Sequence, residues 1–521
     1  MLTEENVIKL NRAISTSFTI LCLLSIPLIM EYGISVKTEP TIWYVDDDNV
    51  TGPWDGTKEY PYQNITNALE HTIDGDTIFV YEGTYYENVF VNKSVSLVGE
   101  DRETTIIDGG EKGSVIFVTA NSVNINGFTI QKSGRALYDS GIFVERSSDN
   151  DISHNTMTNN YDGISLHYSI NNVVSGNTIS SNNNDGISLY SSGNNVVSGN
   201  TITNNNYGIS LYSSSNNVVS GNTISSNNND GMYLILYSGN NIVYRNNFNN
   251  TYQVMSDPTN VWDDGDEGNY WSDYTGQDLN GDGIGDNPYV IDVNNQDKHP
   301  LMGTFSDFNV AWQDKTYHAT TICNSTISNF RFEIGPETGN KIISFSVTGE
   351  DGTVGFCRVT IPIELMDYPY IVLVGAEEIV PTLLDVSNEA YVCLYFTYIH
   401  SSHAITIISS RARKLEIDLY NLNATYHALL DNYSTFLGNY SELQESYREL
   451  NTSYEEHLLD YSENVHNIRN LMYIFAATTA IFIITTIYLS KRAHEGKTSA
   501  RARTQTKKRT HIPLSVLELK L

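Results

Sequence analysis

Polar and apolar positions alternate in short bursts through the middle of the chain. "GISLY" at 186–190 and 208–212, and "NVVSGNTI" at 172–179, 195–202 and 217–224, alternate polar with β-branched or Leu residues, as half-buried strands do. Asn177, Asn200 and Asn222 recur at intervals of 23 and 22 residues, a solenoid period too short for paired-helix repeats. Each copy therefore reads as one β coil, with Asn, Ser and Gly clusters supplying the turns. Stacked coils bury Ile187, Leu189, Val174 and Ile179 over their counterparts. If Ile187 and Leu189 point inward, Ser188 and Tyr190 point outward. His167, Tyr190, Tyr212 and Ile235 are then expected to form one exposed column. The Tyr faces in it could stack on sugar rings; a solvated ladder that stiffens the sheet is the alternative. Asn side chains at one register, such as Asn171, Asn194 and Asn216, would lie about 4.8 Å apart and ladder through their amides.

The pattern changes three times beyond the repeats. From 303 to 412, "KIISFSV", "FCRVTIPI", "YIVLV" and "AYVCLYFTYI" are apolar or alternating runs separated by turn residues, which predicts a β-sandwich. From Leu415 to Tyr461 the period becomes seven. Leu415, Leu422, Leu429, Phe436, Leu443 and Leu450 interleave with Leu419, Tyr426, Tyr433, Tyr440, Tyr447 and Tyr454, a heptad seam expected to form a stalk and leaving a homo-oligomer through it open. Residues 471–489 then run 19 positions without a formal charge, long enough to span a bilayer. A second apolar stretch, 17–30, follows Lys9 and Arg12 and has the length of a signal peptide or signal anchor.

Charge sets the expected topology. The tail 491–521 carries nine Lys or Arg against two Glu, which the positive-inside rule assigns to the cytoplasm. The remainder has 21 basic and 59 acidic residues, a formal −38. Such a body repels nucleic acid and attracts divalent cations. Nine N-x-S/T sequons, none in the tail, permit a glycosylated exterior.

Residues 42–100 add a short helix candidate at Ile65–His71 followed by "GDTIFV" and "GTYYENVFV" strands. This stretch resembles the N-terminal cap of pectin-lyase-like right-handed β-helices. With the later repeats it is similar to NosD-type parallel β-helix proteins, which carry the carbohydrate-binding and sugar hydrolase repeats common in archaeal surface proteins. The resemblance covers about 42–302. "GFCRVTIP" and "YFTYIHSSHAITI" resemble a C-terminal module attached to such proteins. The resemblance implies a right-handed parallel β-helix, and with the patterns read beyond it the chain is expected to be mainly β: the β-helix, then the sandwich, the helical heptad stalk and a C-terminal transmembrane helix. The expected divisions are 1–35 signal segment, 36–255 cap and β-helix, 256–302 capping segment, 303–412 sandwich, 413–468 stalk, 469–490 membrane helix and 491–521 tail. The expected function is binding of polysaccharide or surface glycan, or adhesion, outside the cell membrane. The alternative is a lyase, hydrolase or epimerase, activities that β-helices of this kind include.

Several residues carry candidate chemistry. Asp278, Asn280, Asp282 and Asp286, with the Ile284 carbonyl and Gly283 at the sixth position, match the front half of an EF-hand-type calcium loop. Tyr289 stands where the closing Glu would be, so a complete EF-hand is excluded, and the expected role of calcium is structural. If the chain is an enzyme, Asp162 and Asp185, on adjacent coils about 5 Å apart, would suit a glycosidase carboxylate pair. Each precedes Gly, the ordinary turn dipeptide, and turn chemistry is the competing reading. His400 and His403 have metal-like spacing without an adjacent acidic or Cys partner. Copper would require clustered His, Met or Cys, and the repeat shows none. Cys323, Cys357 and Cys393 are compatible with one disulfide or with three buried thiols.

Overall fold

The computed structural model describes residues 40–458 and 465–495; the apolar segment at 17–30 and the tail beyond 495 lie outside them. Two compact units divide the chain at 414/415.

In the first unit, the expected coils stack into a parallel β-helix with three sheets of nine, eight and nine strands. Ile187, Leu189, Val174 and Ile179 lie inside, fully buried. Their register is unbroken from coil to coil: Ile164, Ile187, Ile209 and Met232 pair in sequence. The N-terminal end is closed by a helix, α1 (Ile65–His71), whose Ile65, Ala68 and Leu69 are buried. Asn64 caps it by accepting from Asn67 N. At the other end the last strands, Tyr252–Ser256 and Tyr270–Trp271, carry the solenoid past residue 255. Phe248, Trp271 and Tyr289 stack there ring on ring.

Asparagine ladders do form, but one position away from the expected register. Asn171, Asn194 and Asn216 adopt φ of 58°, 57° and 59° and supply left-handed turns, which Asn tolerates. Their neighbours Asn172, Asn195 and Asn217 turn inward and are buried. Asn172 Nδ2 donates to Asn195 Oδ1 at 3.0 Å, and Asn195 Nδ2 to Asn217 Oδ1 at 3.1 Å. A second file runs through Asn155, Asn177, Asn200, Asn222, Asn246 and Asn269. A third runs from Asn160 to Asn250. Each Oδ1 also accepts the backbone N–H of the preceding Asn, as Asn200 does from Asn177 at 2.9 Å. The files thus satisfy turn amides that no strand ladder reaches.

The sandwich follows as two five-stranded antiparallel sheets. Val359, Leu394 and Phe396 of one face Phe345, Ile405 and Ile407 of the other in a single buried core. Arg358 ties this module to the solenoid: its guanidinium bonds Glu267 at 2.9 Å and the Asp282 carbonyl at 3.1 Å. Glu267 also takes Arg245 at 2.7 Å. Arg358 and Glu267 are buried and Arg245 is half-buried, a charge network whose buried members cannot be removed singly without cost.

The second unit is helical. Helix α2 (Arg411–Leu458) is continuous, about 70 Å long at the usual rise. Its seam residues Leu415, Leu419, Leu422, Tyr426 and Leu429 are exposed. Helix α3 (Val465–Glu495) contains Leu471–Lys491, 21 residues of mean hydropathy 1.9, long and apolar enough to cross a membrane.

Candidate functional site

The outer face of the eight-stranded sheet carries three registered columns. Asp162 and Asp185 stand in the first, with Tyr207 opposite Asp185. Ser165, Ser188 and Ser210 form the second. His167, Tyr190 and Tyr212 form the third. Small hydroxyl residues between two taller rows make a trough that crosses the coils and that the neighbouring side chains cover: Ser165, Ser188 and Ser210 are all buried. Phe143, paired with Ser165, ends it on one side, and Tyr233, paired with Ser210, on the other.

The third column is in the expected register but is not the exposed row that strand alternation predicted. His167 is 8% exposed, and Tyr190 and Tyr212 are half-buried. Coil spacing brings ring onto ring: His167 stacks on Tyr190 at 5.2 Å and meets Tyr138 and Phe143 at 4.7 Å each. Alternation decides which way a side chain leaves the sheet, and neighbouring rings decide how much water reaches it. Burial lowers the His167 pKa to about 4, against the pull of Glu145, so the imidazole is neutral near pH 7.

The carboxylates are not turn residues. Asp162 and Asp185 begin the strands Asp162–His167 and Asp185–Tyr190. The glycines after them serve close packing. A Cβ on Gly186 would meet Gly208 O and Ile202 Cγ2 at 2.6 Å. Turn chemistry therefore does not account for the aspartates. Asp162, 6% exposed, accepts from Asp185 N at 3.0 Å, Asn184 Nδ2 at 2.9 Å and Ser165 Oγ at 3.1 Å. Burial pushes its pKa up, and these donors oppose the rise. Asp185, 2% exposed, has a buried Oδ1 without a hydrogen-bond partner in the protein, as does Ser210 Oγ. Burial, then the Asp162 charge, pushes Asp185 up to about 8. Asp185 thus holds a proton at neutral pH beside an equally buried Asp162 that has more hydrogen-bond donors.

The sequence pattern missed Tyr207 and Tyr233, and placed Ser188 outward without joining it to Ser165 and Ser210 in one column. Tyr207 and Tyr233 lie 5.1 Å apart, and Tyr233 meets Tyr212 at 6.0 Å. The signal was present in "ISL", where a small residue sits outward between two inward ones in three successive coils.

The calcium-like residues are brought together in one loop. Asp278 Oδ1 accepts from Gly281 N and Asp282 N, and its Oδ2 from Gly283 N. Asp282 Oδ1 accepts from Ile284 N, and Asp286 Oδ2 from Leu279 N. Asn280 Nδ2 donates to Asp282 Oδ2 at 3.1 Å. Gly281 and Gly283, at φ of 69° and 85°, allow the loop to close round Asp278. Among the described residues no group of three or more His, Cys, Asp or Glu stands arranged to hold a metal ion. His400 and His403 point to different partners: His400 is buried between Ser325 Oγ at 2.7 Å and Thr353 Oγ1 at 2.6 Å, and His403 bonds Ser401.

Fold and trough together define a parallel β-helix protein with a polar, ring-walled outer face. Residues 69–276, about two fifths of the chain, match the family model of the periplasmic copper-binding protein NosD. Three solved structures are similar in part. The alginate lyase from Paenibacillus sp. str. FPU-7 is 14% identical over 38% of this chain and 91% of that one, with a TM-score of 0.30. A rhamnogalacturonan lyase is 13% identical over 40% and 74%, TM-score 0.31. A pectate lyase is 15% identical over 44% and 81%, TM-score 0.29. None of the three bears on what this chain binds. No curated protein matches the chain.

Proposed function

We propose that the chain is a membrane-anchored, extracytoplasmic protein whose β-helix binds a neutral polysaccharide along the trough. The observation that carries this reading is the registered set of half-buried rings, Tyr190, Tyr207 and Tyr212, on either side of the covered serine column. A saccharide chain lying across the coils meets ring faces repeated about every 4.8 Å, and reaches the buried serines and carboxylates beneath only where the tyrosines move aside. The formal charge of −31 disfavours polyanionic glycans as well as nucleic acid. The test is a glycan-array screen of the purified chain, repeated with Tyr190→Ala/Tyr212→Ala. Binding should fall at least tenfold in the double variant, with circular dichroism unchanged because both side chains point away from the Ile187–Leu189 column. Unaltered affinity in that variant would reduce the trough to scaffold.

A second reading, glycoside hydrolysis, is favoured by the carboxylate pair alone. Asp185, raised to about 8, has the protonation a general acid needs, and Asp162 is the second carboxyl that such a pair requires. Their near-complete burial keeps substrate off both unless the tyrosines move, which places binding first. Turnover of any array hit, abolished in Asp185→Asn, would reverse that order. Copper chemistry, which the matched family's description names, is left out: the trough holds one neutral His and no Cys or Met.

The membrane span at Leu471–Lys491 supports anchoring, and the basic tail supports a cytoplasmic C-terminus. Protease added to intact cells should remove the β domains and spare an epitope placed after Lys491. Calcium at Asp278, Asn280, Asp282, the Ile284 carbonyl and Asp286 is a separate proposal, supported by the hard oxygen donor set. Asp278 Oδ1 takes two amides, but Asp278 Oδ2, Asp282 Oδ1 and Asp286 Oδ2 each accept one and keep a further lone pair for a cation. Chelator should lower the melting temperature of the chain and calcium restore it, while Asp282→Ala should show neither response. Identical melting with and without calcium would leave the loop a turn.

A further inference from the structure

Two of the sandwich's thiols meet across a strand pair. Cys323 and Cys357 are directly opposite in the antiparallel register of Lys315–Cys323 and Val354–Pro362. Such positions set Cα atoms about 4.5–5.5 Å apart, inside the window of about 4.4–6.8 Å that a disulfide spans. The two sulfurs are 2.9 Å apart and buried. Cys393, also buried, takes a hydrogen bond from Thr360 Oγ1 instead.

The surroundings treat the two sulfurs differently. Ser325 N donates to Cys323 Sγ at 3.4 Å, and the Tyr398 hydroxyl is 3.6 Å from both sulfurs. The Cys357 thiol, with Tyr398 and the Ser325 amide, holds the Cys323 pKa down at about 7, while burial and the adjacent Cys323 push Cys357 up. Cys323, Asn324 and Ser325 also line a cleft of about 550 Å³ at the solenoid junction. Cys323 itself is wholly buried, so a reagent in that cleft reaches its sulfur when the cleft wall opens.

We infer that Cys323 and Cys357 close into an intrachain disulfide by exchange with a low-molecular-weight disulfide, leaving Cys393 as a thiol. The Cys323 thiolate attacks one sulfur of the reagent and expels the other as a thiolate, giving a mixed disulfide. Cys357 gives its proton to the departed thiolate and attacks Cys323 Sγ, which expels the second reagent sulfur. Two cysteine thiols are oxidised and one reagent disulfide is reduced to two thiols. The geometry stands by itself; that an oxidising milieu reaches the pair in cells rests on the extracytoplasmic placement proposed above.

The full-length chain, purified in detergent and reduced, is equilibrated with oxidised glutathione, acid-quenched, alkylated with N-ethylmaleimide in denaturant and digested. A Cys323–Cys357 linked peptide and an alkylated Cys393 are expected, together with a melting temperature several degrees above that of the reduced chain. Cys357→Ser should stop at glutathione attached to Cys323. Full alkylation of Cys323 and Cys357, or a link from either to Cys393, overturns the pairing. The same trapping on intact cells should find the bond already closed. A pair that closes in the purified chain yet is open in cells overturns the placement and keeps the pair.

Discussion

The solenoid, with strands such as Val173–Ser175 and Asp185–Tyr190, and the sandwich, with longer ones such as Thr304–Trp312 and Val354–Pro362, accommodate buried polarity in opposite ways. In the solenoid it is spread along the axis: Asn200 accepts from Asn177 N and Nδ2 and donates to Val174 O, Ser198 O and Asn222 Oδ1. In the sandwich it is gathered at one end, where Cys323, Cys357, Tyr398, Ser325, His400 and Thr353 form one connected cluster beneath an aliphatic core. A parallel coil has turns every few residues whose amides face inward, and each needs a partner. An antiparallel hairpin sends its turns to solvent and needs few. Stability should therefore depend on polar groups in the first region and on packing volume in the second.

The largest expected effect tests that contrast directly. Asn200→Ala orphans the Asn177 amide and several further groups, at about 1–3 kcal/mol for each left unsatisfied, so a loss above about 4 kcal/mol is expected in chemical denaturation. Ile405→Ala, in the sandwich core, should cost about 2–5 kcal/mol as a cavity. An Ile405→Ala loss exceeding that of Asn200→Ala would break the comparison.

Next in size is a pH effect at the trough. Asp185, raised to about 8 in the fold, binds its proton more tightly there than in the unfolded chain. Stability should thus fall as pH rises from about 4 to about 8. Asp185→Asn removes the titration. It should be more stable than the parent at pH 8, by on the order of 1–3 kcal/mol, with the gap closing toward pH 5. Parallel melting curves for both proteins across that range would show that the carboxyl is solvated. His167 works at the other limb: its depressed value near 4 withdraws stability as pH drops below about 6.5.

The smallest effect is the most local. Asn194→Gly keeps the left-handed turn and should shift stability by less than about 0.5 kcal/mol. Asn195→Gly, one residue on, removes the acceptor of Asn172 N and Nδ2 and should cost several times more in the same denaturation series. Equal costs would mean that the ladder is dispensable at this coil.

The fold was legible because periodicity reports it directly: spacing of Asn177, Asn200 and Asn222 sets the coil, and "GISLY" names its inward residues. Which of two adjacent asparagines ladders was not legible, because both amides suit a turn and only backbone dihedrals separate them. The trough was half legible. His167, Tyr190 and Tyr212 could be placed in one column, but their shielding depends on Tyr138 and Tyr233, which come from a loop and from a different register. The Asp-Gly pairs misled because Gly serves two purposes: positive φ in turns and absent bulk between close backbones. Sequence alone shows neither the φ nor the distance to Gly208 O.

The amide files have a direction. In each, Nδ2 of one asparagine points at Oδ1 of the next coil toward the C-terminus, so the side-chain dipoles add head to tail with their positive end leading. The second file ends on a carboxylate: Asp297 accepts from Asn269 N and Trp271 Nε1, an anion placed where the summed field favours one, although burial still raises its pKa to about 6. The solenoid is therefore a polar polymer with a distinct terminator. Whole coils can be duplicated or lost from its middle without changing what either end must supply, and each such event would lengthen or shorten the outer face by one strand spacing. A range of outer-face lengths is accessible to this architecture by copy number alone, whereas cutting the file short of Asp297 would leave its leading amide pointing at nothing.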